Sequence, residues 1–136
     1  MAKVDREVAQ DCVDAWLEAR RIKPKKREEK KESIEAIIDA VEDGVIMIDP
    51  DTNEITQMLD FPVQNSDGVV TVKELVYKPR LTVLERDKGI KGVKADDGFG
   101  LVHGYISAMT DTPKQVLKSL DMQDYNVCQN LATLFM

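Results

Sequence analysis

The hydrophobic period of this chain changes twice, at Gly44 and again after Arg80, so it reads as helix, then sheet, then helix. Before Gly44 the apolar residues recur at helical spacing. Val4, Val8, Cys12, Ala15, Trp16 and Ala19 make one stripe, with Asp5, Arg6, Asp11, Asp14 and Glu18 filling the remaining faces. Such a stripe packs on its own domain or is presented to another subunit. Ile34, Ile37, Ile38 and Val41 form a second stripe that stops at Gly44. Between them lies RRIKPKKREEKKE, in which eight of thirteen residues are basic and Pro24 can end one helix and open the next. Glu28, Glu29 and Glu32 interrupt the basic run. It therefore reads as a solvated linker and first helical turns, with Lys25–Glu29 and Lys31–Glu35 as helix-face pairs, in preference to a nucleic-acid contact.

From Gly44 the pattern is that of strands. Val45–Ile48 is short and apolar, Asp49-Pro50-Asp51-Thr52-Asn53 is turn chemistry, and Glu54–Val63 alternates through Leu59, Phe61 and Val63. Asn65-Ser66-Asp67-Gly68 gives a second turn before Val69–Tyr77. A three-stranded β-meander follows, with Pro62 bending the middle strand or freeing its end from the ladder.

Past Lys78-Pro79, Thr82 can cap a helical turn through Glu85, and Arg86–Gly100 holds Gly89, Gly92, Gly98 and Gly100. This glycine density predicts a mobile loop able to order on a partner. Leu101, Val102, Tyr105, Ile106 and Met109 resume helical spacing. Thr112-Pro113-Lys114-Gln115 predicts a new start, with Thr112 as cap and Gln115 at the capping-box position. Val116, Leu117 and Leu120 give that brief helix its apolar face. Asp121 then caps the last helix, whose stripe is Val127, Cys128, Leu131, Leu134 and Phe135. The predicted class is α+β: a small antiparallel β-meander packed with C-terminal helices, plus an N-terminal helical arm. The division expected is 1–43 as arm and charged linker and 44–136 as the α+β domain.

Several chemistries are excluded by what the sequence lacks. Asp49, Asp51, Asn53 and Asp60 resemble calcium-loop spacing, but Glu54 stands where that loop needs glycine and strands flank it. DKGIKGVKADDGFG lacks the order of a phosphate-binding loop. His103 is the lone histidine, with no Ser or Cys neighbour to activate, so no catalytic role and no enzyme activity is expected. Cys12 and Cys128 are far apart and have no Cys/His cluster, which predicts no disulfide framework, no metal site and a reducing compartment. A net charge of −6 disfavours nucleic acid as a partner. With neither a signal-peptide core nor a bilayer-length apolar run, a soluble chain without a membrane partner or a cofactor is expected.

The order FPVQNSDGVVTVKELVYKPRLTVLERDKG, followed by GLVHGYISAMTDTPKQVLKSLDMQDYNVCQNLATLFM, resembles the small tail assembly chaperones of long-tailed bacteriophages. In that family a β-hairpin ends in an Arg- or Lys-Pro strand exit, followed by a Thr/Val-led short helix and an apolar helix. A second short helix, Leu-Asp-x-x-Asp-Tyr and an apolar terminal helix then close the chain. Here those elements are Leu75–Arg80, Leu81–Glu85, Ile106–Asp111, Thr112–Leu117 and Leu120–Tyr125, and the likeness covers Ile55–Met136. It departs at Thr110-Asp111, where a Thr-Gly break is usual.

The resemblance implies a factor of the host cytoplasm, absent from the mature virion. It would bind the long helical tape measure protein, keep it soluble and help recruit tail tube subunits. A structural tail component, a tube or completion protein, is the neighbouring alternative, and a small DNA-binding regulator a more distant one. Client contacts are expected from Ile90, Val93 and Phe99 in the glycine-rich loop, since a purely solvated loop has no need of such side chains. A homo-oligomer is expected through Val8, Cys12 and Trp16, because the arm lies beyond both the family-like region and the charged linker.

Overall fold

The structure, a computed structural model, describes residues 3–136. Three helices come first: α1 (Arg6–Ala19), α2 (Pro24–Glu29) and α3 (Lys31–Glu42). A three-stranded antiparallel sheet follows in the order β1 (Ile46–Ile48), β2 (Ile55–Gln64), β3 (Val70–Tyr77). Helices α4 (Val83–Gly89), α5 (Gly98–Thr110), α6 (Lys114–Leu117) and α7 (Met122–Phe135) complete the α+β chain. Both changes of period fall where the sequence puts them. Gly44 has φ 78°, the left-handed conformation that ends α3, and β3 stops at Tyr77, ahead of Pro79.

Cross-strand register decides which side chains enter the core. Ile46 stands opposite Gln57 and Gln57 opposite Leu75, while Ile48, Ile55 and Tyr77 form the next row. Of these, all but the half-buried Ile48 are buried under the helices; the alternate row of Met47, Thr56 and Val76 lies on the other face. The ladder breaks between Met58 and Val63, around Pro62, as a strand proline requires. Beneath the sheet, the Tyr77 hydroxyl donates to Gln57 Oε1 at 2.6 Å, the Cys128 thiol to the same oxygen at 3.3 Å, and Gln57 Nε2 to the Asp124 carbonyl at 3.0 Å. Burial pushes the Cys128 thiol up to about 11 and the Tyr77 hydroxyl well above its ordinary value, so both stay protonated as donors.

The N-terminal helix α1 packs against the rest of the chain. Trp16 is 1 % exposed and lies in the same hydrophobic core as Ile37, Leu75, Ile106 and Leu131, so no separate domain ends at residue 43. Two apolar stripes compete on α1. The buried one is rotated by about one residue from the expected stripe: Ala9, Val13, Trp16 and Leu17 face inward, whereas Val8 and Cys12 face outward. The inward stripe carries Leu17 together with Trp16, and burying both large side chains outweighs burying Val8 and Cys12. Trp16 is therefore buried while Val8 and Cys12 are exposed, so the three do not share one exposed surface. Arg6 fixes α1 to α3, donating to Glu35 at 2.7 Å, Glu42 at 2.9 Å and also Asp39. Glu35 is thus held by Arg6 across the helix pair.

Local signals were mostly obeyed. Thr82 and Glu85 form a reciprocal capping box at α4, and Asp121 accepts Gln123 N–H at 2.9 Å at the start of α7. Thr112 is an exception. The residue before α6 is Pro113, no side chain caps that helix, and the Thr112 hydroxyl donates to the Thr110 carbonyl at 3.2 Å. Asp111 ends α5 at φ 50°, a left-handed backbone supplied here by aspartate. No helix among the described residues is long and apolar enough to cross a membrane.

Candidate functional site: a groove between three helices

The loop expected over Arg86–Gly100 is shorter, because α4 runs through Gly89 and α5 begins at Gly98. Helices α4 and α5 cross where two glycines meet. A Cβ on Gly104 would lie 2.6 Å from the Gly89 carbonyl oxygen and 2.8 Å from Ile90 Cγ2. Ile90 is therefore half-buried at this crossing and lies outside the groove that takes in Val93 and Phe99. The remaining loop folds onto the start of α5. Asp97 caps the helix by accepting Gly100 N–H at 2.9 Å, and a Cβ on Gly100 would meet Val93 Cγ1 at 2.9 Å.

This docking leaves a concavity of about 500 Å³ between the start of α5, α6 and the start of α7. Leu117 and Leu120 are its buried members, and Val93, His103 and Tyr125 its half-buried ones. Two large apolar side chains at its edge stand in solvent: Phe99 is 84 % exposed and Met122 is 68 % exposed. Lys114 on α6 and Lys118, the residue that caps its end, also line it. Val93 and Phe99 are thus brought together as expected, and Ile90 is not.

His103 holds the three helices in place. Its Nε2 lies 3.2 Å from the Lys114 carbonyl on α6, which can only accept, so Nε2 carries the proton. Its Nδ1, 2.9 Å from the Tyr125 hydroxyl on α7, then accepts from that hydroxyl. Burial raises the Tyr125 hydroxyl above its ordinary value and keeps it a donor. Both ring nitrogens are spent on structure, which leaves His103 no free lone pair for general-base work.

Other apolar side chains are scattered over the surface. Val83 and Leu84 on α4 are each 65 % exposed, and Phe61 and Val69 lie on the β2–β3 hairpin. None of these borders the groove. The contribution of Met122 was missed from sequence, although a signal existed for the site. Phe99 continues the Val102, Ile106 and Met109 spacing one turn beyond the part of α5 that the core covers. A stripe that outruns its core leaves an apolar residue on the surface. Comparison of the chain with protein-family models, with curated proteins and with solved structures gives no match to any of them.

Proposed function

We propose that this chain is an assembly chaperone that binds a long helical client through the α5–α6–α7 groove. Its resemblance to the small tail assembly chaperones names the client as the tape measure protein of a bacteriophage tail. In this reading it acts in the host cytoplasm, keeps the client soluble, helps bring tail tube subunits to it and is absent from the finished virion. The observation that carries the reading is the pairing of Phe99 and Met122, both largely exposed, at the edge of an open apolar concavity. A side chain of either kind is stabilised by about 1.5–3 kcal/mol when it is fully buried, so leaving both in water favours a partner that covers them. Reversible cover suits a factor that must be displaced as the tail grows around its client.

The test is co-expression with the tape measure protein and measurement of the soluble client recovered. The unmodified chain should raise recovery above that of the client alone, and Phe99→Ser with Met122→Ser should reduce the gain while the far-ultraviolet circular dichroism stays unchanged. A client no more soluble with the unmodified chain than without it would overturn the chaperone reading.

A further inference from the structure

We infer that the groove takes an amphipathic helix with carboxylates one turn apart beside its apolar edge, and that Lys114 and Lys118 read those carboxylates. This rests on the chaperone reading and specifies the chemistry of the client segment. The polar groups of the groove support it through what each still has to offer. His103 is used at both nitrogens, and the Asp97 carboxylate caps α5. Lys114 and Lys118 form no ion pair among the described residues. The groove lining carries Lys114 and Lys118 against the single carboxylate of Asp97, so its balance is positive, on a chain whose net charge is −6.

A small polar ligand would need several converging donors and acceptors to orient it, and with His103, Tyr125 and Asp97 engaged the groove keeps only the two lysine ammonium groups. Apolar side chains need only the concavity and the edge formed by Phe99 and Met122. The lysines are spaced i, i+4 along one short helical segment, a rise of about 6 Å. Carboxylates at i, i+4 on a partner helix have the same spacing, so a helix laid along α6 can meet both cations while its apolar residues enter the groove.

The probes are two designed three-heptad helical peptides with identical leucine stripes, one flanked by glutamate pairs at i, i+4 and the other by lysine pairs. Binding of each labelled peptide is followed by fluorescence anisotropy. The glutamate peptide should bind about five- to tenfold more tightly than the lysine peptide, a modest ratio because the ion pairs are exposed. The preference should shrink in about 1 M salt, where the Debye length is about 3 Å. Lys114→Glu with Lys118→Glu should invert it, and Phe99→Ser with Met122→Ser should weaken both peptides. Equal binding of the two peptides, or a preference that survives the lysine reversal, overturns the inference. So does an unliganded protein heavier than 15.3 kDa whose excess mass the lysine reversal abolishes, since a second copy would then be the occupant. If neither peptide binds while the client is still solubilised, the inference fails and the chaperone reading stands. If the charge preference is found and no client is solubilised, the reverse holds.

Discussion

The buried carboxylate of Asp124 accepts the backbone N–H of Phe61 at 3.0 Å, and with it the N–H of Asp60 at 2.8 Å. These are the residues at which the β2–β3 ladder is interrupted, so α7 supplies the acceptors that a neighbouring strand does not. The same helix residue presents its carbonyl to Gln57, and Asp124 thereby ties α7 to the middle strand at two levels.

Asp124→Ala should therefore destabilise the fold by about 2–4 kcal/mol, the cost of leaving two strand amides without partners. Asp124→Asn retains one acceptor and turns a donor toward the other amide, so its cost should fall between wild type and alanine. Urea unfolding gives the energies, and hydrogen exchange at Asp60 and Phe61 gives the location. An alanine variant within about 0.5 kcal/mol of wild type, the range of an ordinary surface substitution, would refute this role.

The α4–α5 crossing predicts opposite outcomes for three glycines. A Cβ on Gly89 would lie 2.3 Å from the Gly104 carbonyl oxygen, and one on Gly104 would lie 2.6 Å from the Gly89 carbonyl oxygen. Gly98, at the first turn of α5, has nothing within 4 Å of its Cβ position. Alanine at 89 or 104 should cost about 1–3 kcal/mol through forced separation of the helices, in spite of a helix-propensity gain of about 1 kcal/mol. Gly98→Ala should be neutral or stabilising. Thermal unfolding of the three variants orders them, and a stable Gly104→Ala would contradict the close crossing.

Glu85 gives the acid limb of the stability profile. The Lys78 ammonium, followed by the capping contacts of Thr82, holds its carboxyl down at about 2 from an ordinary 4.5. A carboxyl lowered in the folded state contributes stability above its unfolded value and loses that contribution as pH falls toward the folded one, because the unfolded chain binds the proton first. The urea midpoint should thus fall as pH drops from 4.5 toward 2, and Glu85→Gln should flatten that part of the curve. An unchanged slope in the glutamine variant would show that Glu85 contributes nothing to it.

The sheet was readable because period-two alternation, turn residues and Pro62 all point to the same strands, and local agreement of that kind leaves register little freedom. The caps at Thr82 and Asp121 were readable for the same reason, each needing only residues within one turn. Thr112 misled because Pro113 already sets its own backbone geometry, and the hydroxyl finds the Thr110 carbonyl instead of an amide. The groove was only partly visible. Val93 and Phe99 stand out as apolar residues among glycines, but Met122 joins them through the way α6 and α7 pack, which no local pattern encodes. Ile90 has the same local character as Val93 but packs at the Gly89–Gly104 contact, and that contact is tertiary.

Trp16 carries the remaining prediction, because its burial turns an expected association residue into a core residue. Its ring lies 6.3 Å from that of Phe135, and the Arg20 guanidinium stacks 4.0 Å above Phe135 while donating to the Pro79 carbonyl at 2.6 Å. These contacts join the end of α1 to the end of α7 and to the strand exit. The indole N–H, however, is buried without a hydrogen-bond partner. Trp16→Ala should cost about 3–5 kcal/mol, as large-to-small core changes do. Trp16→Phe loses ring area but also removes an orphaned donor, itself a cost of about 1–3 kcal/mol, so its net effect should stay within about 1 kcal/mol. Val8→Ser and Cys12→Ser, on the exposed face of α1, should leave stability nearly unchanged. Chemical unfolding measures each variant, and light scattering measures mass. A core role requires that Trp16→Phe preserve both stability and mass; a fall in oligomer mass without loss of stability would place Trp16 at an interface after all.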